Sequence, residues 1–197
     1  MRRIDKYPYE KFPVYADFYI NLDKNETIEY YTIVCVNRQD GVNSKNATID
    51  SDSIDGTKVK IVLKDNNNVG DYKITVKTRT NNDNDYEIDI PVKVSNTRER
   101  TDRFSKQVSE EFVVTTDFSN DLGSSETISS ITVSAIRLSD GSDLTSSVIE
   151  FSQKSSKKVL VGVQNGVDGE LYRIVIKIQT SIGYKFQKNI LMKVKEI

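Results

Sequence analysis

The chain has 197 residues, 28 basic and 29 acidic side chains, a formal net charge of −1, one cysteine and no histidine. That length holds one large core or two small ones, and the balanced charge supplies no net field favouring nucleic acid or an anionic membrane. Cys35 alone excludes an intrachain disulfide framework, and the missing histidine excludes the usual Cys/His zinc sites and the usual proton acceptor of nucleophilic catalysis.

The first segment, MRRIDKYPYEKF, is charged and aromatic, with no apolar h-region. No apolar run approaches the roughly 20 residues that span a bilayer. The expectation is therefore a soluble chain, not exported by a signal, and the initial Met argues against a leader removed earlier. Tyrosines gather near this end at Tyr7, Tyr9, Tyr15, Tyr19, Tyr30 and Tyr31, and such rings either pack beneath the arm or form contact surface. The arm RRIDKYPY offers Arg2, Arg3, Tyr7 and Tyr9 as candidate contacts with a partner.

Further along, Asp17-Phe18 and Glu26-Thr27-Ile28 stand beside strand starts, where an acidic oxygen satisfies a free backbone N–H. Asp40-Gly41 is a turn. The stretch DSDSIDG, Asp50 to Gly56, resembles the beginning of a calcium loop, but its third acid comes one position late and Ile61 stands where a closing Glu belongs. A solvated acidic loop is the expectation there, and no metal or cofactor is assigned. YKITVKT places Tyr72, Ile74, Val76 and Thr78 on one face, and YEIDIPVKV places Tyr86, Ile88, Ile90, Val92 and Val94 on another. These are half-buried strands, separated by the polar turns DNNNVGD and NNDND.

The chain then repeats itself. Laying residues 10–97 over 110–197 without a gap makes 22 of 88 positions identical, beyond what shared composition produces. The lead-in is echoed as well: RIDKY from Arg3 resembles RTDRF from Arg100, which requires three extra residues before the second copy resynchronises. The predicted organisation is a first domain over residues 1–96, a charged linker over 97–108 and a second domain over 109–197. Arg98, Arg100, Arg103 and Phe104 of the linker join the candidate contacts. The second copy continues through Tyr172, Ile174, Ile176 and Ile178, then Tyr184, Phe186, Ile190, Met192 and Val194. Six or seven short strands per copy, joined by polar turns and without a helical stripe, predict two tandem immunoglobulin-like antiparallel β-sandwiches, with a small barrel as the alternative. Opposite the predicted core, YKITVKT of the first copy shows lysines and threonine, whereas LYRIVIKI of the second shows Leu171 and Val175, with Leu160 and Leu191 on neighbouring strands. The second domain is expected to have the more apolar outer surface and to use it for contact.

The lead-in arm, the acidic-aromatic first strand and the phrase LGSSETISSITV resemble small immunoglobulin-like proteins of tailed bacteriophages. So does the late turn before YRIVIKIQTSIGYKFQKNILMKV. The matching residues are Asp117-Phe118, Leu122, Glu126-Thr127-Ile128 and Tyr172, and in the first copy Pro8, Asp17-Phe18, Leu22, Glu26-Thr27-Ile28 and Tyr72. The chain departs from that family in lacking tryptophan and in being a tandem. The resemblance implies a non-enzymatic virion protein, assembled in the host cytoplasm and present in many copies. Its role would be a capsid auxiliary or decoration protein that binds other virion proteins. The alternatives are a head–tail or tail-fibre adaptor, or an immunoglobulin-like module that binds carbohydrate or a host surface. No nucleic acid, membrane or small-molecule substrate is implied.

Overall fold

The computed structural model describes residues 3–65, 68–96 and 102–196. Seven strands form the first unit: β1 Ile4–Lys6, β2 Phe12–Asp17, β3 Ile28–Asn37, β4 Ile49–Asp55, β5 Lys58–Leu63, β6 Gly70–Thr80 and β7 Asp85–Val94, with one helical turn, α1 Lys45–Thr48. The second unit repeats the order: β8 Asp102–Lys106, β9 Phe112–Asp117, β10 Ile128–Arg137, α2 Thr145–Val148, β11 Ile149–Ser155, β12 Lys158–Val163, β13 Leu171–Thr180 and β14 Lys185–Val194. The chain divides into units 1–98 and 99–197.

Each unit is a sandwich of a four-stranded and a three-stranded sheet, ordered β1-β7-β6-β3 and β2-β5-β4 in the first, β8-β14-β13-β10 and β9-β12-β11 in the second. All pairings are antiparallel except the lead-in strands, since β1 lies parallel to β7 and β8 parallel to β14. This is the immunoglobulin-like architecture that the alternation of apolar and polar residues predicts. The inward faces carry what the period of two assigns to them. Ile74, Val76, Ile174, Ile176 and Ile178 are all fully buried, and Val59, Ile61, Val159 and Val161 meet them from the opposite sheet. Cys35 and Ala135, at equivalent positions, are also fully buried, and burial pushes the Cys35 thiol pKa up. A small side chain at the sandwich centre is needed in both copies, and its sulfur is inert packing.

The duplicated turns form as their residues dictate. Gly41 and Gly141 take φ of +72° and +76°, conformations that glycine adopts without steric cost. The Oδ1 of Asp40 and of Asp140 each accept the backbone N–H two residues on, at 2.9 Å.

Three expectations are corrected. Lys6 sits opposite Val94 and Lys106 opposite Val194, so the lead-ins are in register at a spacing of one hundred, with no extra residues. RIDKY therefore corresponds to RFSKQ from Arg103, and hydrogen bonding confirms it: the N–H of Tyr7 donates to Glu10 Oε2 at 2.7 Å, that of Gln107 to Glu110 Oε2 at 2.6 Å. Secondly, residues 102–106, expected within the linker, are β8 and complete the second sheet. Thirdly, the acidic stretch is no loop. Asp50, Asp52 and Asp55 lie along β4, which pairs with β5, and only Gly56 turns. Asp50 pairs with Lys11 at 2.8 Å, and Asp52 accepts the Tyr31 hydroxyl at 2.7 Å. A strand spreads carboxylates along its length, which removes the closed loop that calcium needs.

The copies also exchange volume across strands. Ser51 faces Val62 in the first, whereas Phe151 faces Gly162 in the second. A Cβ added to Gly162 would stand 2.4 Å from the Phe151 ring, so the phenyl occupies the space that the valine fills in the first copy.

Candidate functional site

The lead-in strands edge their sheets. Arg3 is exposed and its Nε pairs with Asp5 Oδ1 at 2.8 Å. Arg103 is exposed on β8. Tyr7 is 2% exposed, so it is core and not contact surface, and Tyr9 is half-buried in the connection to β2. Phe104 faces inward beside Met192, and its ring meets Phe112 edge-on at 5.1 Å, which makes it part of the sandwich edge. Arg2, Arg98 and Arg100 lie outside the described residues. Beneath the arms sit two groups that sequence reasoning missed. Lys6 and Lys106 are 1% and 2% exposed; Lys106 Nζ donates to the carbonyls of Gln107 at 2.6 Å and Val108 at 3.2 Å, and burial lowers its pKa. A lysine closing an alternating run carries no sequence signal of burial, because the same letter also marks a solvated strand end.

The four apolar residues expected to form one outer patch do not. Leu171, Val175 and Leu191 face outward from the four-stranded sheet, whereas Leu160 faces outward from the three-stranded sheet, on the other side of the sandwich. Val175 is 8% exposed, shielded by its neighbours on the sheet. Nor does the second domain expose more large apolar side chains. Among the described residues the first domain shows Tyr19 at 71%, Ile20 at 90%, Tyr30 at 52% and Val34 at 44%. The second has Ser119, Asn120, Ser130 and Ser134 at those positions. Alternation cannot reveal Tyr19 and Ile20, which lie in the loop after β2.

The duplicated acids accept backbone N–H groups, as expected, but Asp17 and Asp117 close β2 and β9 where a strand start was expected. Asp17 Oδ1 accepts the N–H of Tyr19 at 3.0 Å, and Asp117 Oδ1 that of Ser119 at 2.8 Å. Glu26 Oε2 accepts from Asp23 N at 2.8 Å, and Glu126 Oε2 from Gly123 N at 3.0 Å. Asp17 and Asp117 tie the loop to the strand before it, and Glu26 and Glu126 tie it next to the strand that follows.

The first domain also carries two shallow grooves on either side of Tyr30. One, of about 610 Å³, runs between β3 and β4 along Tyr31, Lys45, Asp52 and Ile54; the other, of about 420 Å³, is lined by Thr32, Lys77, Arg79, Asp85 and Glu87. The Arg79 guanidinium stands 5.9 Å from the Tyr30 ring centre and holds Asp85 through two 2.8 Å bonds, which lower the Asp85 pKa. The Tyr31 phenol is pushed up to about 12 by burial and by Asp52. These groups can bind and orient a polar ligand. Among the described residues no group of three or more His, Cys, Asp or Glu is placed to hold a metal ion, and no helix is long and apolar enough to cross a membrane.

Comparison with solved structures returns tandem immunoglobulin domains. A chimeric titin Z1Z2-Z1Z2 tandem functionalized with a GRGDS exogenous peptide from fibronectin is 12% identical, with 99% of this chain and 97% of that one covered, at a TM-score of 0.36. A chimeric titin Z1Z2 with a KLER exogenous peptide from decorin is 10% identical, covering 99% and 93%, at 0.34. The N-terminal Ig1-2 module of the Drosophila receptor protein tyrosine phosphatase DLAR is 8% identical, covering 99% and 95%, at 0.32. Scores this low add nothing to the architecture read from the strand order. Comparison with curated proteins finds no match. Residues 106–193, which span nearly all of the second domain, match the sequence profile of a family described as the podophage GP4 fiber-tail adaptor protein gp77, so the likeness to immunoglobulin-like phage proteins stands and is carried by the second domain.

Proposed function

We propose that the protein is a non-enzymatic structural component of a tailed-phage particle that joins a fibre to the tail by binding other virion proteins. The supporting observation is the match of residues 106–193 to a fibre–tail adaptor family. The capsid-auxiliary role expected first from the sequence has no such support, and the adaptor, its alternative, takes its place. The fold suits an adaptor, because the strands leave both sheet faces and the loop ends available for contact, while the core needs only aliphatic and aromatic packing. Mass spectrometry of purified particles, together with electron microscopy of particles made without this protein, tests the proposal. The expected result is a chain present in several copies and particles that lose their fibres; a chain absent from particles, or a loss confined to capsid decoration, rejects it.

The first domain lies outside that match, and Tyr30 between its two polar grooves favours a second reading, in which this domain holds a glycan. Glycan-array binding that disappears in Tyr30→Ala supports it, and a silent array removes it.

A further inference from the structure

The outward face of the four-stranded sheet differs between the copies in its charge. In the first domain five bases on this face, Arg3, Lys73, Lys77, Arg79 and Lys93, stand among five acids, Asp5, Asp71, Asp85, Glu87 and Asp89. Cross-strand pairing neutralises them: Arg79 meets Asp85 at 2.8 Å, Lys77 meets Glu87 at 3.1 Å, Lys73 meets Asp89 at 3.2 Å, and Asp71 lies opposite Lys93 in register.

At the equivalent places in the second domain the bases persist and the acids do not. Arg103, Arg173, Lys177 and Lys193 keep four of the five basic positions. Asp5, Asp71, Asp85, Glu87 and Asp89 become Ser105, Leu171, Lys185, Gln187 and Asn189. What Arg173, Lys177 and Lys193 now oppose on the neighbouring strand is Leu191, Gln187 and Leu171. The outward residues of β10, Thr132, Ser134 and Ile136, add no charge. A face that is balanced in one copy is thus basic in the other, in a chain whose total charge is −1. A second observation points the same way: the Nε of Arg173 is buried on this face with no hydrogen-bond partner. A buried donor left unmatched costs free energy, and a carboxylate brought by a partner would relieve it.

We propose that this face of the second domain, formed by β8, β14, β13 and β10, is a docking surface for an acidic surface of a partner protein. The first domain shows the occupant's chemistry, since Glu87 and Asp89 mark where carboxylates meet Lys77 and Lys73, the bases that Lys177 and Arg173 replace on the same backbone. The assignment of a protein as the partner rests on the adaptor reading. Charge complementarity of this kind sets encounter rate and partner choice, and it weakens with salt.

The test uses the full chain and two labelled probes, an oligoglutamate peptide and a DNA duplex, followed by fluorescence anisotropy at low and high salt. Gln187→Glu with Asn189→Asp returns the carboxylates that the first domain already accommodates, and should weaken peptide binding by about tenfold. The reverse exchange in the first domain, Glu87→Gln with Asp89→Asn, should not weaken binding. Arg103→Glu, an exposed site, decides the matter should the double variant melt early. Peptide binding unaffected by Gln187→Glu with Asn189→Asp and by Arg103→Glu, or tighter binding of DNA than of peptide, overturns the proposal. A chain that is missing from particles yet binds the peptide through this face would remove the adaptor reading and leave the surface standing.

Discussion

In each domain a buried glutamate ends the loop after the first long strand, and the two are held differently. Glu26 collects the hydroxyl of Thr80, the amide of Asn84 at 2.9 Å and the hydroxyl of Tyr86 at 3.5 Å, besides the backbone N–H of Asp23. Glu126 keeps a backbone N–H, but its Oε1 is buried with no hydrogen-bond partner, because Tyr184 and Phe186 stand where Asn84 and Tyr86 do. The same relation recurs on the outer sheet, where the first domain's paired charges become amides, a leucine and a further lysine. Among the described residues the first domain leaves only two threonine hydroxyls, of Thr48 and Thr78, buried without a hydrogen-bond partner, and it satisfies its buried carboxylate. The second keeps the backbone and loses some of those partners, which leaves Glu126 Oε1 and Arg173 Nε buried without a hydrogen bond.

The shared core gives the largest expected effect. Ile174→Asp buries an unpaired charge at a position with no exposure, and should cost on the order of 4 kcal/mol or more, enough to unfold the second domain. Calorimetry should show one transition lost and the other kept; a melt like that of the original protein would mean that Ile174 does not face the core.

Next in size is the exchanged pair. Gly162→Ala drives a methyl against the Phe151 ring and should cost about 1–3 kcal/mol, and adding Phe151→Ser should recover most of it, since the first domain combines a small residue with Val62. Denaturant melts of the two single variants and the double one measure the coupling, and simple additivity would contradict this packing of ring against glycine.

A smaller effect separates the two glutamates. The Thr80 hydroxyl, the Asp23 N–H and the Asn84 amide hold the Glu26 carboxyl below the usual range. A carboxyl with a depressed folded pKa contributes its full stability above its unfolded pKa, and loses it as the pH falls through the folded value. Glu26→Gln should therefore lower the Tm of the first domain by several degrees at neutral pH, with the difference shrinking below about pH 4. Glu126→Gln should shift the second domain less, because fewer donors point at it. Equal shifts would show that the extra donors contribute nothing.

The smallest effect belongs to the exposed ladder. Asp89→Asn removes the carboxylate that holds Lys73 at 3.2 Å and the Thr75 hydroxyl at 2.6 Å, and this exposed site should barely move the melt. A large, salt-independent loss would mean that the ladder supports the fold and is more than a neutral surface.

Much of this is legible in the letters. Asp-Gly pairs give turns, alternation gives the inward faces of β6, β7, β13 and β14, and acids beside strand ends give the loop-tying carboxylates, because each depends on residues within a few positions of one another. Other features escape. The letters alone set the lead-in arms at the wrong spacing, because a short chance similarity outweighs a parallel pairing about ninety residues away, Lys6 with Val94. Leu160 and Leu191 read as neighbours yet belong to different sheets, since alternation says that a strand has two faces and not which sheet it joins. Tyr7 and Val175 read as surface and are covered by residues distant in sequence.

The sequence by itself determined that there are two copies of one sandwich, where the chain turns, and which side of each strand is apolar, because covalent neighbours and a period of two decide those matters. The tertiary structure decided which strands share a sheet, that β8 belongs to the second domain, and that bases scattered over β8, β13 and β14 gather on one face without acids. That gathering depends on register between distant strands, and the same letters in another register would place those charges on different faces.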